Sequence, residues 1–389
     1  MNVHVEPRVA VVERRLPFEC VALVLQGGGA LGAYQAGVYE ALAEAGIHPE
    51  WIAGVSVGAI NAAIIAGNPP NSRVDRLREF WTQTTAPGLW TCLDDPSLSV
   101  TRGDTARNIF NQMSASFAFA SGAKGFFTAR PLVPWLAPAG TIEATSFYDT
   151  RDLKHTLERL VDFDRLNAGM TRFSASAVNV RTGNLVYFDT TRQLLGPEHI
   201  MASGALPPGL PAIEIEGEHY WDGGLVSNTP LQWVLESEPR RDTLAVQVDL
   251  WSARGEVPRN ILEVMMREKE IRYSSRTRAV DQFKHRQELR GAAAGLLEKL
   301  PEDLRNSSEA KLLGTAADRK VYNIVHLIYR ARNYEGHSKD YEFSRLSMEE
   351  HWRAGYHDAR RTLRHPEVLK RPVDRAGVFT FDLAADGRE

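Results

Sequence analysis

The first regular feature of the chain is a continuous apolar run, Cys20–Leu25 (CVALVL). An uninterrupted run of strand length predicts a strand buried on both faces, as in a parallel sheet. It runs into Gly27-Gly28-Gly29. Tyr34, Val38 and Leu42 then recur at helical spacing and predict a helix over residues 31–45, with Gly46 just past its end. Residues 51–55 predict a second short strand, Ser56 a turn, and VGAINAAIIA (residues 57–66) a very apolar helix. This β-α-β-α succession opens an α/β fold.

Further along, a surface helix is expected over residues 74–83, and residues 87–146 read as the least regular part of the chain. A helix over 150–162 follows. Strands at 173–180 and 185–188 are joined by the turn Arg181-Thr182-Gly183-Asn184, and a second hairpin centres on Gly217. LAVQVDL (244–250) reads as another buried strand. After Trp251 the character changes to charged helices over 261–300, a strand at 322–329 and a last helix at 347–363. The pattern divides into a lead-in (1–19), a main α/β unit (20–251) and a basic, largely helical extension (252–389). There is no internal repeat or low-complexity tract.

Composition changes this picture little. Of 389 residues, 43% are hydrophobic and 24% charged, with net charge −3, which excludes wholesale disorder and argues against nucleic-acid binding. Residues 252–389 carry 27 Lys and Arg against 22 Asp and Glu. That excess suits either an anionic lipid surface or an ordinary solvated helical face. Cys20 and Cys92 sit in no CxxC or His/Cys cluster, so neither a disulfide framework nor a zinc site is expected. The charged N-terminus does not read as a signal peptide, and no stretch has the length of a bilayer span. A cytoplasmic protein, at most peripheral at the membrane, is the expectation.

Three motifs carry chemistry. Gly54-Val55-Ser56-Val57-Gly58 is a G-x-S-x-G sequence between an apolar strand and an apolar helix. That is the setting in which a serine oxygen is exposed on a sharp turn, although Ser56 could also be a plain helix cap. Gly27, Gly28 and Gly29 lie at a second strand-to-helix junction, where backbone N–H groups can stabilise a developing oxyanion. The same loop, Gly27-x-Gly29-x-x-Gly32, matches a dinucleotide fingerprint. The acid that fold wants after its second strand is missing, because Glu50 precedes that strand. Asp222-Gly223-Gly224 follows a third predicted strand. Alone it reads as a turn, but a buried carboxylate there could serve as base for Ser56.

In this order the three motifs resemble the patatin-like phospholipase family, over about Val21 to Pro230, including Asn228-Thr229-Pro230 and the loop Ala202-Ser203-Gly204-Ala205. The resemblance implies a three-layer α/β/α sandwich and a Ser–Asp dyad of Ser56 and Asp222 without histidine. It implies an oxyanion hole from Gly27, Gly28 and Gly29, with Gly32, Gly54, Gly58, Gly223 and Gly224 supporting the loops. The expected reaction is hydrolysis of lipid esters of phospholipase A type through an acyl-enzyme, with no cofactor and no metal. Many members carry Arg or Lys where this chain has Leu31.

Alternatives remain at this point. A thioesterase or intracellular polyester depolymerase would use the same dyad. A nucleotide-binding protein or a non-catalytic scaffold would not need Ser56. His219, His285, His326 and His337 leave a conventional triad open, although His326 falls in an apolar strand and reads as a core residue. The aromatics from Phe117 to Leu136 suit either a lid or membrane-touching loop, or ordinary core packing.

Overall fold

A computed structural model of the chain describes residues 14–85, 103–275, 277–332, 334–372 and 377–383. Most of the N-terminal lead-in (residues 1–13) and Cys92 therefore lie outside the described residues. Two sheets are present among them. A three-stranded antiparallel sheet comprises β3 (Gly122–Ala123), β4 (Phe127–Ala129) and β5 (Tyr148–Asp149). The main sheet comprises β1 (Cys20–Leu25), β2 (Trp51–Gly54), β6 (Arg172–Asn179), β7 (Leu185–Asp189), β8 (Ile213–Ile215), β9 (Glu218–Asp222), β10 (Thr243–Asp249), β11 (Val321–Ile328) and β12 (Gly377–Phe381). Its order is β12-β11-β10-β1-β2-β6-β9-β8, parallel from β12 to β6.

Strand β1 shows why its sequence is apolar throughout. Val21, Leu23 and Leu25 enter one core, whereas Cys20, Ala22 and Val24 enter the other. The first core is closed by α1 (Ala33–Glu44), α2 (Val57–Ala66), α3 (Arg73–Thr84), α5 (Arg151–Leu160) and α13 (Arg345–Leu363). The second is closed by α8 (Leu231–Glu236) and by Phe283 of α10 (Thr277–Lys299). The architecture is thus a three-layer α/β/α sandwich. All ten residues of α2 are buried, which accounts for its lack of a polar face. Cys20 is free, and its burial pushes the thiol up to about 11, leaving it unreactive.

Residues 252–389 contribute to the same sheet. Both β11 and β12 extend it in parallel beyond β10. Helix α13 lies against α1 so closely that a methyl on Gly37 would meet the Trp352 carbonyl oxygen at 1.9 Å.

The stretch read as irregular contains an 18-residue helix, α4 (Asp104–Ser121). Its pattern misleads because the face it buries is Arg107, Asn111, Ala115 and Ala118, polar or small throughout. The aromatics from Phe117 to Leu136 divide: Phe126 is in the core against Phe80, whereas Phe119, Trp135 and Leu136 are exposed by 67%, 73% and 66%.

Candidate active site

Strand β6 brings the distant motifs together. On one edge it pairs with β7; on the other it pairs first with β2 and then with β9. Gly54, at the end of β2, lies opposite Ala175, and Asp222, at the end of β9, lies opposite Ala177. Because β9 is antiparallel to β6, its last residue returns toward the end of β2, where the chain turns at Ser56. The Ser56 side chain is hydrogen-bonded to the Asp222 carboxylate.

The turn at Ser56 is sharp, with φ 56° and ψ −128°, a conformation that costs a non-glycine residue on the order of 1–3 kcal/mol. Its surroundings hold it there. The Ser56 N–H donates to both the carbonyl and the hydroxyl oxygen of Ser203, each at 3.1 Å. A methyl on Gly54 would meet the Gly58 carbonyl oxygen at 2.3 Å, and one on Gly58 would meet the Leu25 carbonyl oxygen at 2.4 Å. Both positions exclude any side chain.

Asp222 is 2% exposed. Burial raises its acid to about 6, against the opposing pull of hydrogen bonds from Ser56 and from the Gly224 N–H, the latter at 2.7 Å. Its own N–H donates to the Ala205 carbonyl at 3.0 Å. The segment from Ser203 to Ala205 therefore holds the backbones of both Ser56 and Asp222.

The glycine loop lies directly alongside: a methyl on Gly27 would come within 3.0 Å of the Ser56 Cβ. Its three N–H groups are not equivalent. That of Gly27 donates to the Asn228 carbonyl at 3.3 Å, while those of Gly28 and Gly29 have no protein acceptor among the described residues. The Gly27 carbonyl accepts from Asn228 Nδ2 at 3.0 Å and from Trp251 Nε1 at 2.9 Å. In a trans peptide the N–H points opposite the C=O, so these two donors fix the direction of the Gly28 N–H. The Gly28 carbonyl accepts from Leu31 N at 3.2 Å and fixes the Gly29 N–H in the same way. Gly29 has φ +55°, and a methyl there would sit 2.1 Å from the Asp340 carbonyl oxygen, which also accepts from Ala30 N at 2.8 Å.

Two polar residues hold this loop: Gln26, which no motif marked, and Asn228, which the resemblance included without assigning it a role. Gln26, fully buried, accepts from the N–H groups of Leu250 and Trp251 and donates to Thr229 Oγ1 and the Tyr273 carbonyl. Asn228 donates to the same Tyr273 carbonyl at 2.9 Å. Tyr273 ends α9 (Ile261–Tyr273). Leu31 is wholly buried in the core, where a charged side chain would be unpaired. One cation near this loop is Lys339, buried, paired with Glu270 at 2.8 Å and 5.2 Å from the Trp251 ring.

Of the four histidines singled out, His219 is exposed on β9 and His285 is exposed beside Glu288. His326 differs from the expected satisfied core residue: it is half-buried, its Nε2 has no hydrogen-bond partner among the described residues, and it faces Asp249. Neither Ser56 nor Asp222 has a hydrogen bond to His219, His285, His326 or His337. Among the described residues no group of three or more His, Cys, Asp or Glu could hold a metal ion, and no helix is long and apolar enough to cross a membrane.

Comparison with known proteins places the chain in a family. Residues 271–375 match a family described as patatin phospholipase. The chain is 38% identical to the rat patatin-like phospholipase domain-containing protein 7 over 81 residues, covering 21% of this chain and 6% of that protein. It is 55% identical to the lysophospholipase nte1 of Aspergillus terreus over 53 residues, covering 14% and 4% of the two chains. The matches thus span only a small fraction of these much longer relatives. Among solved structures, VipD from Legionella pneumophila aligns over 90% of this chain and 67% of its own, at 15% identity and a TM-score of 0.40. Residues 23–234, more than half of the chain and a range that includes Ser56, Asp222 and the glycine loop, match the patatin-like phospholipase family, and the chain belongs to it.

Proposed function

We propose that the protein is a serine acyl hydrolase acting on lipid esters, with Ser56 as nucleophile and Asp222 as its single catalytic partner. The observation that carries this reading is the hydrogen bond between Ser56, on its strained turn, and a buried carboxylate whose acid is raised to about 6. At pH 7 most of that carboxylate is ionised, yet it is far more basic than an ordinary aspartate and better matched to a serine proton. Asp222 accepts the Ser56 proton as the serine oxygen attacks the ester carbonyl, forming a tetrahedral oxyanion. The N–H groups of Gly28 and Gly29, with that of Val57 at the start of α2, stabilise the oxyanion. Gly27 supports the hole through its carbonyl rather than its N–H. The oxyanion collapses, the alcohol leaves with the proton from Asp222, and an acyl-enzyme remains. Water then attacks it, giving its proton to Asp222; as the second oxyanion collapses, Asp222 returns that proton to the departing Ser56 oxygen, and the fatty acid is released. Each step is completed by the protein's own groups and water.

The test is labelling with a fluorophosphonate, read by intact mass and peptide mapping. The expected result is one adduct, on Ser56, absent in Ser56→Ala and slowed about 10²–10⁴-fold in Asp222→Asn. A folded wild type that takes no label, or an adduct on another serine, would overturn the reading. Glycerophospholipid hydrolysis without acyl-CoA hydrolysis would separate it from the thioesterase alternative.

A further inference from the structure

Two helices of this chain are inside out. Helix α9 has no buried residue; Ile261, Val264, Met265 and Ile271 point to solvent, while Arg267 and Glu270, paired with each other, turn toward the protein. Helix α4 buries Arg107 and Asn111 and exposes Ile109 and Met113, the former by 55% and the latter by 48%. A soluble helix ordinarily does the reverse. The two flank one turn, Gly336–Ser338. Asn108 and Asn111 of α4 donate to the Tyr334 carbonyl, and Lys269 and Glu270 of α9 pair with Asp340 and Lys339. That turn leads directly to Asp340, which holds the glycine loop.

The inward sides of these helices thus build the candidate site, and their outward sides are apolar. We propose that these outward faces seat the protein on a zwitterionic lipid surface, with α9 as the principal contact. The proposal rests on the lipid-ester reading of Ser56. Two observations favour lipid over a second protein copy. The turn that follows Asp222, at the rim of the candidate site, also exposes Leu225 and Val226, and a second copy seated on that rim would cover the site. The exposed charges around α9 also come in opposed pairs, Arg259 with Glu256 and Arg272 with Glu268. Residues 252–273 carry five basic and four acidic side chains. That balance complements headgroups bearing both phosphate and ammonium, where a strongly basic patch would select anionic lipid.

The experiment is sedimentation of the full chain with phosphatidylcholine vesicles. Wild type and Ser56→Ala are expected to bind equally, and Ile261→Glu/Met265→Glu to bind at least tenfold more weakly while Ser56 still takes fluorophosphonate in solution. Met265→Trp gives an independent reading: the fluorescence it adds to that of wild type is expected to be quenched by brominated phosphatidylcholine. Absence of wild-type binding, undiminished binding by the double variant, or no quenching of the fluorescence added by Met265→Trp would each overturn the proposal. So would a wild-type dimer that the double variant dissociates, since the face would then be a protein interface. Vesicle binding without any Ser56 adduct in wild type would sink the hydrolase reading and leave the docking surface standing.

Discussion

Ser203 receives the backbone N–H of Ser56 on two oxygens at once, its carbonyl and its hydroxyl, both at 3.1 Å. The serine turn is therefore held from α7 (Pro197–Ser203) as well as from its own strand and helix. Two residues later the same loop holds Asp222 through Ala205. The relative position of the two residues is set by these contacts to their backbones.

A titrating Asp222 makes a specific pH profile. If Asp222 is the base proposed above, the rate of fluorophosphonate labelling is expected to rise through an apparent value near 6 and to level off above it, since only an ionised carboxylate can take up a proton. Stopped-rate labelling from pH 4.5 to 8.5 checks this. A midpoint at or below 4 would show that burial does not tune this acid.

The same group has a stability signature of opposite use. Its folded value lies above the ordinary 3.8, so its contribution is fully present below about pH 4 and is lost as pH rises through about 6. Asp222→Asn, which cannot ionise, is expected to melt higher than wild type at pH 8, by on the order of 3 kcal/mol. The gap should close by pH 4. Calorimetry of the two proteins at both pH values decides it.

Asn228 is expected to separate two kinds of loss. Asn228→Ala removes the donors to the Gly27 and Tyr273 carbonyls. Asn228→Asp removes them and adds a negative charge beside Gly27 and Gly224. We expect kcat/KM to fall about tenfold or more in Asn228→Ala and further in Asn228→Asp, where the pH midpoint should also move upward. Equal effects of the two variants would argue for a purely steric role.

Gly29→Ala should fail structurally. The residue has positive φ, and a methyl would lie 2.1 Å from a backbone oxygen that cannot move without displacing residue 340. A loss of about 2–4 kcal/mol and of Ser56 labelling is expected. Denaturant titration alongside labelling tests both halves.

Gln26→Leu removes the acceptor of two buried N–H groups, those of Leu250 and Trp251. Each unsatisfied donor costs about 1–3 kcal/mol, so the variant is expected to be the least stable of the series that still folds. Its denaturation midpoint relative to Asn228→Ala is the measurement.

What could be read beforehand follows from where chemistry dictates local pattern. Strand β1, the turn at Ser56 and helix α2 are apolar on all sides because both faces are covered, and a continuous run announces that. The motifs around Ser56 and Asp222 are short and dense in glycine because backbone approaches backbone there. The resemblance to a known family also pointed to the loop around Ser203. Helix α4 was not legible, because it buries Arg107 and Asn111 and presents Ile109 and Met113 to solvent, inverting the rule by which helices are recognised. Gln26 was silent, and Asn228, although part of the resemblance, carried no visible role, for another reason. Each is one polar residue at a strand or loop end, and its worth comes from partners some 200 or more positions away. The unequal glycines were equally hidden, since only the Asn228 carbonyl distinguishes Gly27 from its neighbours.

Ala30 is held by Asp340, 310 positions later in the chain. On the ribosome the glycine loop and Ser56 are made before the carbonyl that shapes the loop. At roughly 5–20 residues per second, about 15–60 s pass before it can arrive. Over that interval the nascent chain carries Ser56 beside a glycine loop that its Asp340 contact has not yet shaped. Under the proposed chemistry, a chain interrupted before residue 340 would lack the carbonyl that shapes this loop and would not be labelled at Ser56.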